Sequence, residues 1–285
     1  HTVSYATEAG LFQDGGAPIF KGQSADAASI EDMAIEGSIS PAYRMRGLIE
    51  LQQSRDVSIR NVSVRNSQAN GIVLDRCSGV VSGCRLVGAT KAAIFSIDAD
   101  GGLEISHNII SDCGNNGILV WRSSIGNDAT VVAMNRIDRV AAKDGGTGQN
   151  GNGINIFRAN GVIVTSNRIA DCAFSAVRAN SASDIQILAN NVARMGEVAI
   201  YAEFAFEGAV ISANLVDGAA TGISVTNFDH GGRLAVIQGN LIRNLALHSG
   251  PSEPGGYGIS VEADASVTGN TIENAPVAGL QIGWG

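Results

Sequence analysis

The sequence predicts an all-β solenoid, a single-stranded parallel β-helix of about ten coils with an internal Asn ladder. Three observations predict it: the composition, one recurring pattern, and the residue that marks that pattern. The chain has 285 residues, 36 of them Gly, with 45% apolar, 5% aromatic and 16% charged residues. Low charge with abundant Gly, Val, Ile and Asn suits stacked strands and tight turns better than amphipathic helices. The pattern is an apolar residue, a spacer, another apolar residue, two spacers, a marker, one spacer, and a further apolar residue. Seven successive copies carry Asn as the marker, at Asn108, Asn135, Asn167, Asn190, Asn214, Asn240 and Asn270. Extending the frame backwards gives three degenerate copies marked by Met33, Val62 and Cys84, with spacings of 22 to 32 residues.

Each copy supplies three short strands. The first lies before the marker, as in Val162-Ile163-Val164 before Asn167. A second is implied by the apolar residue two places after it, such as Ile110, Ile137, Ile169 or Ile242. The third begins about nine residues on with a small residue, as in Gly71-Ile72-Val73-Leu74, Gly117-Ile118-Leu119-Val120 and Gly222-Ile223-Ser224-Val225. Alternation within each strand turns one apolar set inward, which describes one solenoid coil. Ankyrin-like repeats would need helical periodicity, and leucine-rich repeats their Leu signature; neither is present. At a turn, Asn adopts a bent or left-handed backbone, and Asn stacked on Asn at about 4.8 Å lets each amide donate to the next. These residues are read as a structural ladder, not as catalysts.

Net charge is −8 with a pI near 5.0, leaving no basic stripe for nucleic acid. No apolar run reaches the roughly 18 residues of a membrane span. The chain opens at His1 without a signal-like segment and closes on a strand-like Leu280-Gln281-Ile282, so it reads as a piece of a longer protein, with residues 1–27 a partial coil leading into the β-helix of 28–285. Cys113 and Cys172 each follow a marker by five residues. That puts them on one stripe two coils apart, about 9 to 10 Å, beyond disulfide reach. No zinc-type Cys/His spacing accompanies them, and they read as small buried apolar residues. A Cys77–Cys84 bridge across one turn stays open.

The strand-Asn-turn-Gly-Ile pattern, from about residue 28 to 285, resembles the right-handed parallel β-helix proteins of the pectate-lyase-like superfamily. Its Asn-rich short coils resemble bacterial repeat proteins exported by the twin-arginine route. The resemblance implies a right-handed coil and a periplasmic or secreted location. It also implies one of the superfamily's roles: lyases, hydrolases and epimerases of acidic polysaccharides, phage tailspikes, or non-enzymatic adhesins. Neither the paired Asp constellation of its polygalacturonase-like members nor the Asp/Arg set of its pectate lyases can be laid on this chain.

Function on a solenoid lies on outward residues and over-long turns. Two long turns, 141–152 and 246–257, leave one corner; two more, 121–129 and 227–233, leave the opposite corner and wall the Gly-Ile sheet. Alternation gives the outward row Glu50, Val73, Phe95, Leu119, Asn155, Arg178, Tyr201, Ser224, Ser260, Gln281. The next row is Gln52, Asp75, Ile97, Trp121, Phe157, Asn180, Glu203, Thr226, Glu262, Gly283. The early coils are apolar around Phe95 and Leu119, which calls for a cover: an N-terminal segment, a partner in a homo-oligomer, or a ligand. Later coils are polar. There Arg178, Tyr201, Glu203 and His230 are candidate catalytic residues, and Trp121, Arg122, Asn155, Phe157, Arg158, Asn180, Asn227 and Asp229 candidate substrate contacts.

The chemistry this set suits is removal of the proton beside a uronate carboxylate, by β-elimination or C5 epimerisation. It needs the carboxylate neutralised and a base near C5. Arg178 is the expected carboxylate clamp, Tyr201 or His230 the base or acid, and Trp121 or Phe157 the sugar platform. Arg178→Ala is expected to weaken binding and leave the fold intact. Hydrolysis would pair Glu203 with Asp229 and ranks lower. Two other readings compete: Glu203 paired with Arg178 as a purely structural contact, and a non-catalytic carbohydrate-binding or adhesive module. Gly145–Asn150 resembles a single copy of a calcium-binding nonapeptide with Asn in place of Asp. No cofactor is expected; Ca²⁺ held by Asp144, Asn150 and Asn152 is the one candidate.

Overall fold

The structure, a computed structural model, describes residues 2–4, 11–12, 17–37, 45–226, 230–248 and 255–283. These residues build three all-parallel sheets of eleven strands each, and every strand between the two ends pairs with its equivalents one coil below and above. One typical coil comprises Leu103–Ser106, Ile109–Cys113 and Asn116–Asn127, one strand in each sheet. The stack has one rung more than the markers indicate. Thr2–Ser4, Leu11–Phe12 and Phe20–Gln23 form it, pairing with Ser29–Glu31, Ala34–Glu36 and Gly47–Gln52.

Inward positions of the third, Gly-Ile sheet stack like on like. Ile94, Ile118, Ile154, Val177, Ile200, Ile223 and Ile259 are consecutive partners, each 0% exposed. The small residue ahead of this column is required by close approach: a Cβ added to Gly117 would lie 2.4 Å from the Gly153 carbonyl of the next rung.

The Asn ladder forms as expected, with each rung bound at two atoms. Asn190 donates its main-chain N–H (2.9 Å) and Nδ2 (3.0 Å) to Asn214 Oδ1, and its Nδ2 also reaches the Val164 carbonyl at 3.1 Å. Asn167 makes the same pair of bonds to Asn190, and the chain of amides runs from Asn108 to Asn270. The backbone expectation is corrected. The left-handed residue is the one before each marker: His107, Met134, Ser166, Ala189 and Ala213 have φ of 54 to 58°. That residue absorbs the bend, at about 1–2 kcal/mol for a non-Gly side chain, so the Asn amide can point inward to the next rung.

Cys113, Val140 and Cys172 are successive partners, which places the two thiols two coils apart. All four cysteines are free and buried, so Cys77 and Cys84 are not bridged. Burial pushes the Cys84 thiol up to about 11 and Cys113 to about 12. Residues 121–129 are not a bare turn. The strand Asn116–Asn127 continues through them, with a register shift between Trp121 and Gly126 and renewed pairing of Gly126 with Ala159. No described helix is long and apolar enough to cross a membrane.

Candidate functional site

Both outward rows read from alternation are the observed register. Phe95, Leu119, Asn155, Arg178 and Tyr201 are consecutive partners, and so are Ile97, Trp121, Phe157, Asn180 and Glu203. Over them lies a cleft of about 540 Å³, a size typical of small-ligand sites.

One wall is the long turn after Val140. Its base is held by an ion pair between Lys91 and Asp144 and by mutual hydrogen bonds of Asp144 with Asn115. Its tip is tied to the sheet by three amides. Asn116 and Asn155 donate to the Gln149 carbonyl (3.2 and 2.9 Å), and Asn152 donates to that of Gly148 (2.8 Å). Gly148, at φ +129°, sits so close to Arg178 that an added Cβ would fall 1.5 Å from Nη1. A side chain there would strain the backbone and push the Arg178 guanidinium aside. The second long turn at this corner, 246–257, is described only at its two ends.

Arg178 is not a free clamp. Its Nε and Nη2 donate to the two carboxylate oxygens of Glu203 at 2.7 and 2.9 Å, and Nη1 reaches Glu197 Oε2 at 3.4 Å. Its guanidinium also lies over the Tyr201 ring, 5.0 Å from the centroid. Asn180 donates to Glu203 Oε1 at 2.8 Å, and Glu203 itself is 1% exposed. Such a fork-to-fork pair is a strong charge-assisted contact, and it matches the structural alternative for this arginine. Burial, helped by the Glu203 charge, pushes the Tyr201 hydroxyl up to about 12, so it stays protonated at neutral pH. Burial also raises the Glu197 carboxyl above its usual range, against the pull of Arg178.

The other two arginines differ. Arg122 turns to the corner, donating to the Ala99 carbonyl at 3.1 Å and reaching Asp128 at 3.5 Å. Arg158 faces the bulged residues 122–125 of the rung before it. It donates to the Ser123 carbonyl at 3.1 Å and stacks on Phe157 at 4.8 Å. Among the described residues no carboxylate pairs with it. Trp121 and Phe157 stack at 6.2 Å and 14°. With a rung spacing of about 4.8 Å, that centroid distance implies sideways offset; both rings are partly exposed, and the Arg158 guanidinium lies against Phe157.

His230 is exposed and meets Phe204 edge-on at 5.4 Å on the cleft rim. Asn227 and Asp229 lie outside the described residues. The cleft thus brings together Trp121, Asn155, Phe157, Arg178, Asn180 and Glu203; Tyr201 lies beneath Arg178. Sequence reasoning missed Glu197, Gln149 and Phe204, which sit in turns where no alternation assigns a direction. Of the residues read as a calcium set, Asp144 pairs with Lys91 and Asn115, and the Asn150 and Asn152 amide nitrogens donate to the carbonyls of Gly145 and Gly148. No group of three metal-type side chains occurs among the described residues.

Solved structures share the architecture. An alginate lyase from Paenibacillus sp. str. FPU-7 matches at TM-score 0.63 and 13% identity, over 93% of this chain and 99% of that one. The catalytic unit of an α-1,3-glucanase from Streptomyces thermodiastaticus matches at 0.67 and 14%, over 97% of this chain and 58% of that one. The mannuronan C-5 epimerase AlgE4 A-module of Azotobacter vinelandii matches at 0.58 and 15%, over 97% and 79%. At these identities the likeness is one of fold. No curated protein sequence matches significantly. The family model for the right handed beta helix region matches residues 46–231 and 116–285, and with the three parallel sheets this makes the chain a member of the right-handed β-helix family.

Proposed function

We propose that the cleft on the third sheet binds an acidic polysaccharide, and that Arg158, which stands beside the lining residue Phe157 without itself lining the cavity, is the residue that reads its carboxylate. The observation that carries this is the juxtaposition of an arginine that no carboxylate among the described residues pairs with and the offset Trp121–Phe157 stack. Apolar sugar faces pack on partly uncovered rings, and the planar guanidinium suits a carboxylate. Asn155, Asn180 and the Gln149 side chain supply donors and acceptors for hydroxyl groups. Several β-helix structures of similar fold are named for enzymes of alginate or mannuronan, which supports the class.

If the bound uronate is modified, elimination or C5 epimerisation remains the reaction this set suits. Arg158 would neutralise the carboxylate, His230 on the rim would take the proton, and solvent would protonate the leaving oxygen in an elimination; Tyr201, buried beneath Arg178, does not line the cavity. A second reading, a non-catalytic binding or adhesive module, is favoured by one observation: Arg178 and Glu203 are spent on each other. The resemblance to exported repeat proteins supports action in the periplasm or outside the cell. The test is incubation with alginate, pectate and bacterial exopolysaccharides, with and without Ca²⁺. Unsaturated product is followed by ultraviolet absorbance, C5 exchange in D₂O by NMR, and retention on immobilised polymer in parallel. Product or exchange supports the enzyme, retention alone supports the binding module, and the absence of both signal and retention contradicts the proposal.

A further inference from the structure

The cleft changes character halfway along its length. Its first-row floor runs Phe95, Leu119, then Asn155, Arg178, and its second row runs Ile97, Trp121, then Phe157, Asn180. At about 4.8 Å per rung, an apolar stretch roughly 10 Å long continues into a polar stretch of similar length. Phe95, Leu119 and Trp121 are all partly exposed, and they line the same cavity as Asn155, Asn180 and Glu203. The wall at Gly148 and Gln149, pinned by Asn116 and Asn155, borders that shared cavity. A plain sugar chain laid along the whole cleft can rest a C–H face on Phe95, but a hydroxyl turned onto Phe95 or Leu119 loses water without gaining a partner.

Resting on the glycan reading above, we propose that the ligand is an acidic glycan bearing an alkyl or acyl substituent, with the substituent seated on Phe95, Leu119 and Trp121. The acidic sugar then lies over Phe157 and Arg158, with Asn155 and Asn180 on its hydroxyls. The occupant of the apolar stretch is part of the ligand because the two stretches are one cavity, and the substituent buries apolar surface that a bare sugar cannot.

The test measures binding of methyl β-D-glucuronide, octyl β-D-glucuronide and octyl β-D-glucoside by calorimetry, the octyl compounds below their micelle thresholds. Octyl glucuronide is expected to bind at least tenfold more tightly than methyl glucuronide. Leu119→Asn and, as a second variant, Phe95→Ser should each cut that advantage below about threefold and leave methyl glucuronide unchanged. Equal affinity for the two glucuronides, or an octyl advantage untouched by both variants, overturns the proposal. Octyl glucoside binding as tightly as octyl glucuronide would overturn the acidic reading while the apolar seat stands. Absence of binding to all three overturns both. Loss of a dimer in Leu119→Asn, seen by sedimentation, would assign the face to a second copy and overturn the proposal.

Discussion

Arg158 and Arg178 stand on adjacent rungs of one sheet, and they do opposite work. Arg178 occupies a regular outward position beneath the Gly148 wall, where two carboxylates neutralise it. Arg158 sits at a bulge, half-buried and stacked on Phe157, and among the described residues its side chain donates to a carbonyl and meets no carboxylate. Residue type and proximity on the stack are the same. What separates them is whether the surrounding chain has already supplied the counter-charge. A row of like charges on a solenoid therefore says little about a ligand until each one's partners are counted, and here the count moves the proposed ligand-facing role from Arg178 to Arg158.

The largest effect that would sharpen this contrast is on stability. Arg178→Ala leaves Glu203 buried and unpaired, which costs about 3–5 kcal/mol; the sequence-based expectation of an intact fold is revised accordingly. Arg158→Ala should stay within about 0.5 kcal/mol of the parent. Urea midpoints of the two variants check the difference, and equal midpoints would break the comparison. Next in size is the ladder. Asn190→Ala removes the acceptor for two Asn167 donors, at a cost of about 1–3 kcal/mol. Asn180→Ala costs less, because Glu203 keeps both bonds to Arg178. The same midpoints measure it.

A smaller effect depends on pH. Burial raises the Glu197 carboxyl in the folded chain, so its contribution is fully present below the ordinary glutamate range and is lost as pH rises through the raised value. Glu197→Gln should therefore gain in Tm relative to the parent at neutral pH and lose that gain below the ordinary carboxylate range. A Tm difference that is constant from pH 4 to 8 would contradict this placement of Glu197.

Much of this contrast was legible in the sequence, and the part that was not has a physical cause. In-register stacking turns alternation into arithmetic, so both outward rows, the Asn ladder and the distance between Cys113 and Cys172 follow from spacing alone. Even the Arg178–Glu203 pair was open to inference, since the two stand two residues off on adjacent rungs. Turns carry no such arithmetic. Nothing in residues 141–151 says that the loop folds back over the sheet, and three separate Asn amides fix it there. Glu197 precedes its strand for the same reason unseen. The left-handed column was placed one residue late, because the ladder amide and the bend were assigned to a single residue when two share the work.

The most direct test of the central claim is the affinity of the parent, Arg158→Ala and Arg158→Lys for tetragalacturonate, measured by calorimetry at low and at 0.3 M salt. If Arg158 reads the carboxylate, Arg158→Ala should bind about fivefold or more weakly at low salt, with the gap shrinking as salt screens the contact. Arg158→Lys should fall between, keeping the charge without the planar fork. Equal affinity of parent and Arg158→Ala at both salt concentrations, with both variants folded, would contradict the account.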